Sequence, residues 1–406
     1  MSRRALTFCL AAVVVASCGT APVAPATTGP SQPGADTGAA SQTPWSTPTA
    51  VAPPSPDTCA ETTLAAMSEA QRVGQLFMFG IAGDRPSRSE EAALTAYHLG
   101  SVWLVHNRSG GVAAVKSLAT RIQGLATASN TAGAGFFVAA DQEGGLVQRL
   151  KGDGFSTIPS ALDQGQLPAA GLQADATTWG RELSSAGINL NLAPVMDVVP
   201  PGGDATNAPI GALQREFGHD PATVGSHGAA MVEGMAAAGI ATTLKHFPGL
   251  GRVTGNTDTA SGVVDATTTA DDPYLDAFAA GIAAGVPFVM VSLATYTAID
   301  PDHQAVFSPA IIGGLLRQRL GFRGVVMSDD LGAAASVGNL SPGDRATAFI
   351  AAGGDLMIVQ GSTQTGQMVA AVVARVGSDT AFAAQVDAAA LLVLRAKEHY
   401  GLVRCD

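Results

Sequence analysis

Eight short apolar runs recur along the chain, at 75–81, 101–105, 135–140, 188–195, 240–244, 288–292, 324–328 and 356–360. Each is continuous rather than alternating, which is the pattern of strands covered on both faces. Between most of them lie alanine-rich stretches with helical spacing, among them 113–128, 222–238, 273–284 and 309–320. A helix is predicted over 67–73 before the first run, and closing helices over 365–376 and 382–400 after the last. Buried strands alternating with helices imply a parallel sheet, and eight such units close most naturally into a TIM-type (β/α)8 barrel. The competing architecture is an open doubly wound sheet. Against it, no glycine-rich phosphate fingerprint follows the first strand, and polar clusters follow many strands rather than one switch point.

In a barrel of this kind the chemistry sits at the C-terminal ends of the strands. The run 240–244 leads directly into Lys245-His246-Phe247-Pro248-Gly249-Leu250-Gly251, where proline and glycines end regular structure and leave two basic side chains at the strand's lip. Carboxylates gather at equivalent places: Asp141, Glu143, Asp197, Asp258, Asp300, Asp329 and Asp330. Two of them flanking a sugar bond are what glycoside hydrolysis requires. Arginine and lysine donors beside them suit the oxygens of a polar, hydroxylated substrate.

The same segments carry a resemblance. The loop at Lys245, with Asp141-Gln142-Glu143-Gly144-Gly145, 191–197 (NLAPVMD), 210–218 (IGALQREFG) and 321–331 (GFRGVVMSDDL), resembles glycoside hydrolase family 3, in its branch of single-domain β-N-acetylglucosaminidases. The likeness spans roughly 63–402, nearly all of a single catalytic domain. It implies that Asp329 is the nucleophile of a retaining, two-step hydrolysis. It also implies that Asp141, Arg149, Arg215, Lys245 and His246 hold the terminal sugar. Asp330, the neighbour of the nucleophile, points the other way and reads as a helix N-cap.

One departure concerns proton transfer. The family's loop reads KHFPGHG followed by DSH, whose histidine is the acid/base. Counting from Lys245 puts Asn256 at the aspartate and Asp258 at the histidine, and Leu250 replaces the loop histidine. Asp258 is therefore the candidate acid/base, as a carboxylate is in most glycosidases. With an ordinary aspartate value of about 3.9, it would need burial and a negative Asp329 to raise it. A protein that binds wall sugars without cleaving them, a different sugar specificity, and transfer to phosphate instead of water are the alternatives.

The ends of the chain place this domain. Arg3 and Arg4 precede an apolar run from 5 to 15, and Val15-Ala16-Ser17-Cys18 resembles a bacterial lipobox. On this reading 1–17 is a lipoprotein signal peptide and Cys18 the lipidated residue; an ordinary cleaved signal or a short anchor is the alternative. Residues 18–57, rich in Pro, Thr, Ser, Gly and Ala, read as a disordered tether, leaving 58–406 as the barrel. An exported protein, lipid-anchored to the outer face of the bacterial membrane, is expected. In it only Cys59 and Cys405 remain in the folded part, and the nearness of barrel termini predicts a disulfide between them.

Composition narrows the partners. A formal charge of -11 argues against nucleic acid or anionic surfaces. No Cys/His spacing marks a metal site and no phosphate or nicotinamide fingerprint occurs, so no cofactor is expected. The expected substrate, by resemblance and location, is a cell-wall fragment containing N-acetylglucosamine.

Overall fold

In a computed structural model, which describes residues 58–405, the eight runs become a closed parallel barrel. Its strands are β1 (Phe77–Ile81), β2 (Ser101–Leu104), β3 (Phe137–Ala140), β4 (Leu190–Asn191), β5 (Ala241–Phe247), β6 (Phe288–Val291), β7 (Val325–Ser328) and β8 (Met357–Val359). They pair in chain order, β8 returns to β1 through Phe77 opposite Met357, and Met327 bridges Leu356 to complete the ring. The signal peptide, Cys18 and the tether lie outside the described residues.

The pleat sorts side chains into two cores. Phe77, Phe79, Val102, Leu104, Val138, Val289, Val291, Val326, Met357 and Val359 face outward and bury against the helices. Met78, Trp103, Phe137, Ala139, Ala241, Phe288, Met290, Val325, Met327 and Ile358 fill the barrel, where Phe137 meets Phe288 edge-on at 5.2 Å between ring centroids. Extending the inward parity by one step past the packed layers puts Asp141 after Phe137 and Ala139, Lys245 after Ala241 and Thr243, and Asp329 after Val325 and Met327. The same alternation that builds the core thus delivers three charged groups to its upper end.

Some boundaries differ from expectation. Lys245 and His246 lie inside β5, which runs to Phe247 because backbone bonds continue past them, Ser292 N–H donating to the Phe247 carbonyl. The helix predicted at 67–73 runs over Glu69–Gln75, started by a reciprocal cap between Ser68 and Gln71, and an unpredicted helix, Cys59–Ala66, precedes it. The segment Ala310–Arg319 is wound as a π-helix, wider than the α-helix its spacing suggested. Residues Ala169–Ser185 add a long helix between β3 and β4.

Cys59 and Cys405 are joined by a disulfide with Cα atoms 5.1 Å apart, closing 346 residues of chain. The first helix also docks on the last, Thr380–His399, through the Glu398 carboxylate, which accepts from the Cys59 and Ala60 N–H groups. Cys405→Ser is expected to lower unfolding free energy by up to about 5 kcal/mol, from loop-closure entropy in the unfolded chain. Denaturant midpoints of oxidised wild type and variant test this; equal midpoints would mean that docking alone secures the ends.

At the barrel floor, buried Lys397 donates to Gln75 Oε1 (2.6 Å) and the Gly100 carbonyl (2.7 Å). Loss of water pushes its ammonium down to about 7.

Candidate active site

A cavity of about 390 Å³ opens at the C-terminal ends of the strands. It is lined by Asp141, Arg149, Arg215, Lys245, His246, Asp258 and Asp329, so the structure brings all seven sequence-selected residues together. Its floor is the top layer of the barrel core: Trp103, Leu192, Met290 and Ile358. That volume is at the lower end of small-ligand pockets and suits one sugar ring with its substituents.

Beneath the polar rim is a buried charge cross. Lys245 Nζ lies 2.6 Å from Asp141 Oδ1 and 2.7 Å from Glu143 Oε1, and Arg215 grips both oxygens of Glu143 at 2.8 Å. Burial opposes charge on Glu143, but Arg215 and Lys245 together outweigh it and hold the carboxyl well below the usual range. Glu143 was visible in the sequence only as one of many strand-end carboxylates; its partners are separated from it by 72 residues (Arg215) and 102 (Lys245), which spacing cannot reveal. Breaking a buried pair of this kind costs about 3–5 kcal/mol. Glu143→Gln should therefore raise KM more than it lowers kcat, and lower the melting temperature; unchanged KM would show that Arg215 and Lys245 hold position without it.

His246 is fixed from the other side. The fully buried Asp197 accepts from His246 Nδ1 (2.8 Å) and from the backbone N–H groups of His246 (3.1 Å) and Leu250 (2.8 Å). With Nδ1 committed as a donor, Nε2 is the ring atom left for substrate. Asp197 was another strand-end carboxylate without an assigned role. Asn207, which the sequence reading passed over, ties two loops: its amide donates to the Leu250 and Val253 carbonyls, both at 2.7 Å, while its oxygen accepts from Ile210 and Gly211. Arg149 donates to Asn107 Oδ1 at 3.2 Å. The indole N–H of Trp103 is buried and meets no protein acceptor.

The two candidate catalytic carboxylates differ in setting. Asp329 follows β7 directly and accepts a hydrogen bond from the Asp330 N–H (2.8 Å). Asp330 has the outward parity and is spent on the turn, accepting from Gly332 (2.8 Å) and Gln360 (3.0 Å). Asp258 is exposed at the rim. Its loop is set by Asn256, whose side chain accepts from the Asp258 N–H (2.9 Å), and by Ala335 and Ser336, whose N–H groups reach the carbonyls of Asp258 and Thr257. The burial expected of Asp258 is thus borne by its partner instead.

Burial first, then the Asp258 charge, push the Asp329 carboxyl up to about 6; His246 pulls the other way. A nucleophile acts ionised, so protonation of Asp329 below about pH 6 should give kcat/KM an acid limb there, falling tenfold per pH unit. Asp258→Asn removes the second cause and should move that limb to lower pH, read with an aryl substrate whose leaving group needs no protonation. A limb that stays in place would separate the two groups electrostatically.

Comparison with known proteins agrees with this geometry. Residues 69–396 match the glycosyl hydrolase family 3 N-terminal domain. A beta-hexosaminidase of Stenotrophomonas maltophilia is 38% identical over 272 residues, 63% of this chain and 78% of that protein. The crystal structure of a beta-N-acetylhexosaminidase from Beutenbergia cavernae superposes with a TM-score of 0.81 at 54% identity, covering 82% of this chain and 99% of that one. A family 3 beta-N-acetylglucosaminidase from a Paenibacillus species gives a TM-score of 0.73 at 28% identity, over 84% of this chain and 64% of its own.

Proposed function

The chain belongs to glycosyl hydrolase family 3 and is a glycoside hydrolase acting on O-glycosyl bonds, and from that premise we propose that it is a retaining exo-β-N-acetylglucosaminidase. The single observation that carries the reading is the convergence of Asp329, Asp258 and the Asp141/Lys245/Arg215 group on one cavity the size of a sugar. Similarity to proteins described as beta-hexosaminidase and beta-N-acetylhexosaminidase supports the acetamido sugar.

In the proposed reaction Asp329 attacks the anomeric carbon while Asp258, exposed in the free protein but covered by the bound sugar, carries the pair's one proton and gives it to the departing oxygen. Breaking that C–O bond leaves the sugar as an ester on Asp329. Asp258, now a carboxylate, takes a proton from water as the water attacks the anomeric carbon. The C–O bond to Asp329 breaks, and the sugar leaves with its original β configuration. Lys245, Asp141 and Arg215 fix the ring by its hydroxyls, so that the bond to be broken lies between the two aspartates.

The proposed substrates are terminal N-acetylglucosamine residues of cell-wall fragments, met outside the membrane by a lipoprotein anchored at Cys18. What supports this is the leader pattern of the first eighteen residues. The test is release of chromophore from an aryl β-N-acetylglucosaminide beside the matching β-glucoside, with muropeptides as the natural arm. Turnover of the acetamido sugar alone is expected. Preference for the glucoside would overturn the specificity, and binding without turnover would leave a sugar-binding protein.

A further inference from the structure

The loop that carries Arg215 into the cavity holds a second polar cluster on its other side. Asp204, Glu216 and His219 each offer one ligand atom, and these atoms lie within 4.8 Å of one another. None of the three lines the sugar cavity. Glu216 is fully buried, yet neither carboxylate oxygen meets a hydrogen-bond donor in good geometry; Asp204 Oδ1 also makes no hydrogen bond, and the nearest cationic group to it is His219 Nδ1 at 3.6 Å. A buried carboxylate without donors costs several kcal/mol, and a second carboxylate beside it makes charge there less favourable still. Arg215, the nearest cation along the chain, is already committed to Glu143.

The cluster has two carboxylates and, apart from the His219 imidazole beside Asp204, no cationic group to balance them. We propose that Asp204, Glu216 and His219 form a site for a divalent first-row metal ion of the zinc or manganese class, which pins the loop behind Arg215. Two carboxylates and one imidazole are a donor set these ions accept, with water completing the shell. His219 Nδ1 lies 3.2 Å from the Val199 carbonyl, to which it can only donate, and 3.6 Å from Asp204 Oδ1; on metal binding a ring rotation presents Nε2, the nitrogen with the lone pair. Metal–ligand bonds of about 2.0–2.2 Å require ligand atoms about 3–3.5 Å apart, so modest side-chain adjustment closes the site. Entry is open, because the side chains of Asp204 and His219 retain 42% and 34% exposure.

Gly211 contributes to the site's shape. A Cβ there would come within 2.6 Å of the Asp204 Cα, so only glycine lets the two loop arms close around the cluster. The cluster arises from three residues of one loop, and only Glu216 and His219 are near neighbours in sequence. Such spacing carries no recognisable metal signature, and the reading of the sequence accordingly expected none.

The competing state is a neutral Glu216, since burial raises its carboxyl and protonation would relieve the charge without any metal. Equilibrium dialysis separates the two. The full chain, stripped with chelator, is dialysed against zinc chloride and, separately, manganese chloride, and bound metal is quantified beside thermal melts. One equivalent bound at micromolar affinity or tighter is expected for at least one of the two ions, with a melting temperature raised by several degrees. Glu216→Gln and His219→Ala should each weaken that binding at least tenfold and abolish the thermal shift. No saturable binding of either ion by the wild type would overturn the site, leaving Glu216 as a stored neutral acid. Undiminished binding by both variants would place the metal elsewhere and overturn it equally.

Discussion

Asp329→Asn is expected to lower kcat/KM for an aryl β-N-acetylglucosaminide by on the order of 10⁴-fold or more, with little change in sugar affinity. The reasoning begins with the pleat. Val325 and Met327 pack inside the barrel, so the next residue of that parity meets the cavity from a rigid strand end rather than a loop. Asparagine preserves the shape and can still accept the Asp330 N–H, but it cannot form the glycosyl ester. Asp330→Asn is the contrasting variant: its carboxylate accepts the Gly332 and Gln360 N–H groups, so its loss should cost stability more than chemistry. Kinetics beside isothermal titration with N-acetylglucosamine separate the two. Comparable activity losses in both variants would mean that turn integrity, not nucleophilicity, is what Asp329 supplies.

Asp258→Asn should give a different signature. With leaving groups that need protonation, activity should fall about 10²- to 10⁴-fold, the usual contribution of general acid–base catalysis. With an activated aryl leaving group the first step proceeds, but hydrolysis of the ester lacks its base. Azide, which needs no deprotonation, should then restore turnover and yield the β-glycosyl azide. The argument rests on position: Asp258 lines the cavity close enough to Asp329 for its charge to act there, and its side chain makes no hydrogen bond to the protein. His246, whose ring Asp197 holds through Nδ1, is the other side chain at the cavity able to take part in proton transfer, through Nε2. If Asp258→Asn kept full activity and His246→Gln lost it with azide rescue, proton transfer would belong to the histidine.

Much of this site was legible before the fold was. Continuous apolar runs revealed the eight strands, and parity along β3, β5 and β7 places Asp141, Lys245 and Asp329 in one chamber once the runs are known to close. The choice between Asp329 and Asp330 came from the family resemblance, and parity along β7 agrees with it. What could not be read were the partnerships that cross the barrel. Glu143 meets Arg215 and Lys245, Asp197 meets His246, and Asn207 clasps Leu250 and Val253 only because separate loops converge. Loop packing also decided the exposure of Asp258, whose role as an acid called for burial. Its loop docks on Ala335 and Ser336 by backbone bonds, which carry no side-chain signal.

The central claim is a two-step reaction through an ester on Asp329, with Asp258 serving the second step. Intact-mass analysis of Asp258→Asn, quenched during turnover of an activated aryl β-N-acetylglucosaminide, tests it most directly. The account predicts a species heavier by one N-acetylglucosaminyl group, mapped by peptide analysis to Asp329 and discharged by azide. Turnover without any adduct, giving first-formed product of the inverted configuration, would contradict it.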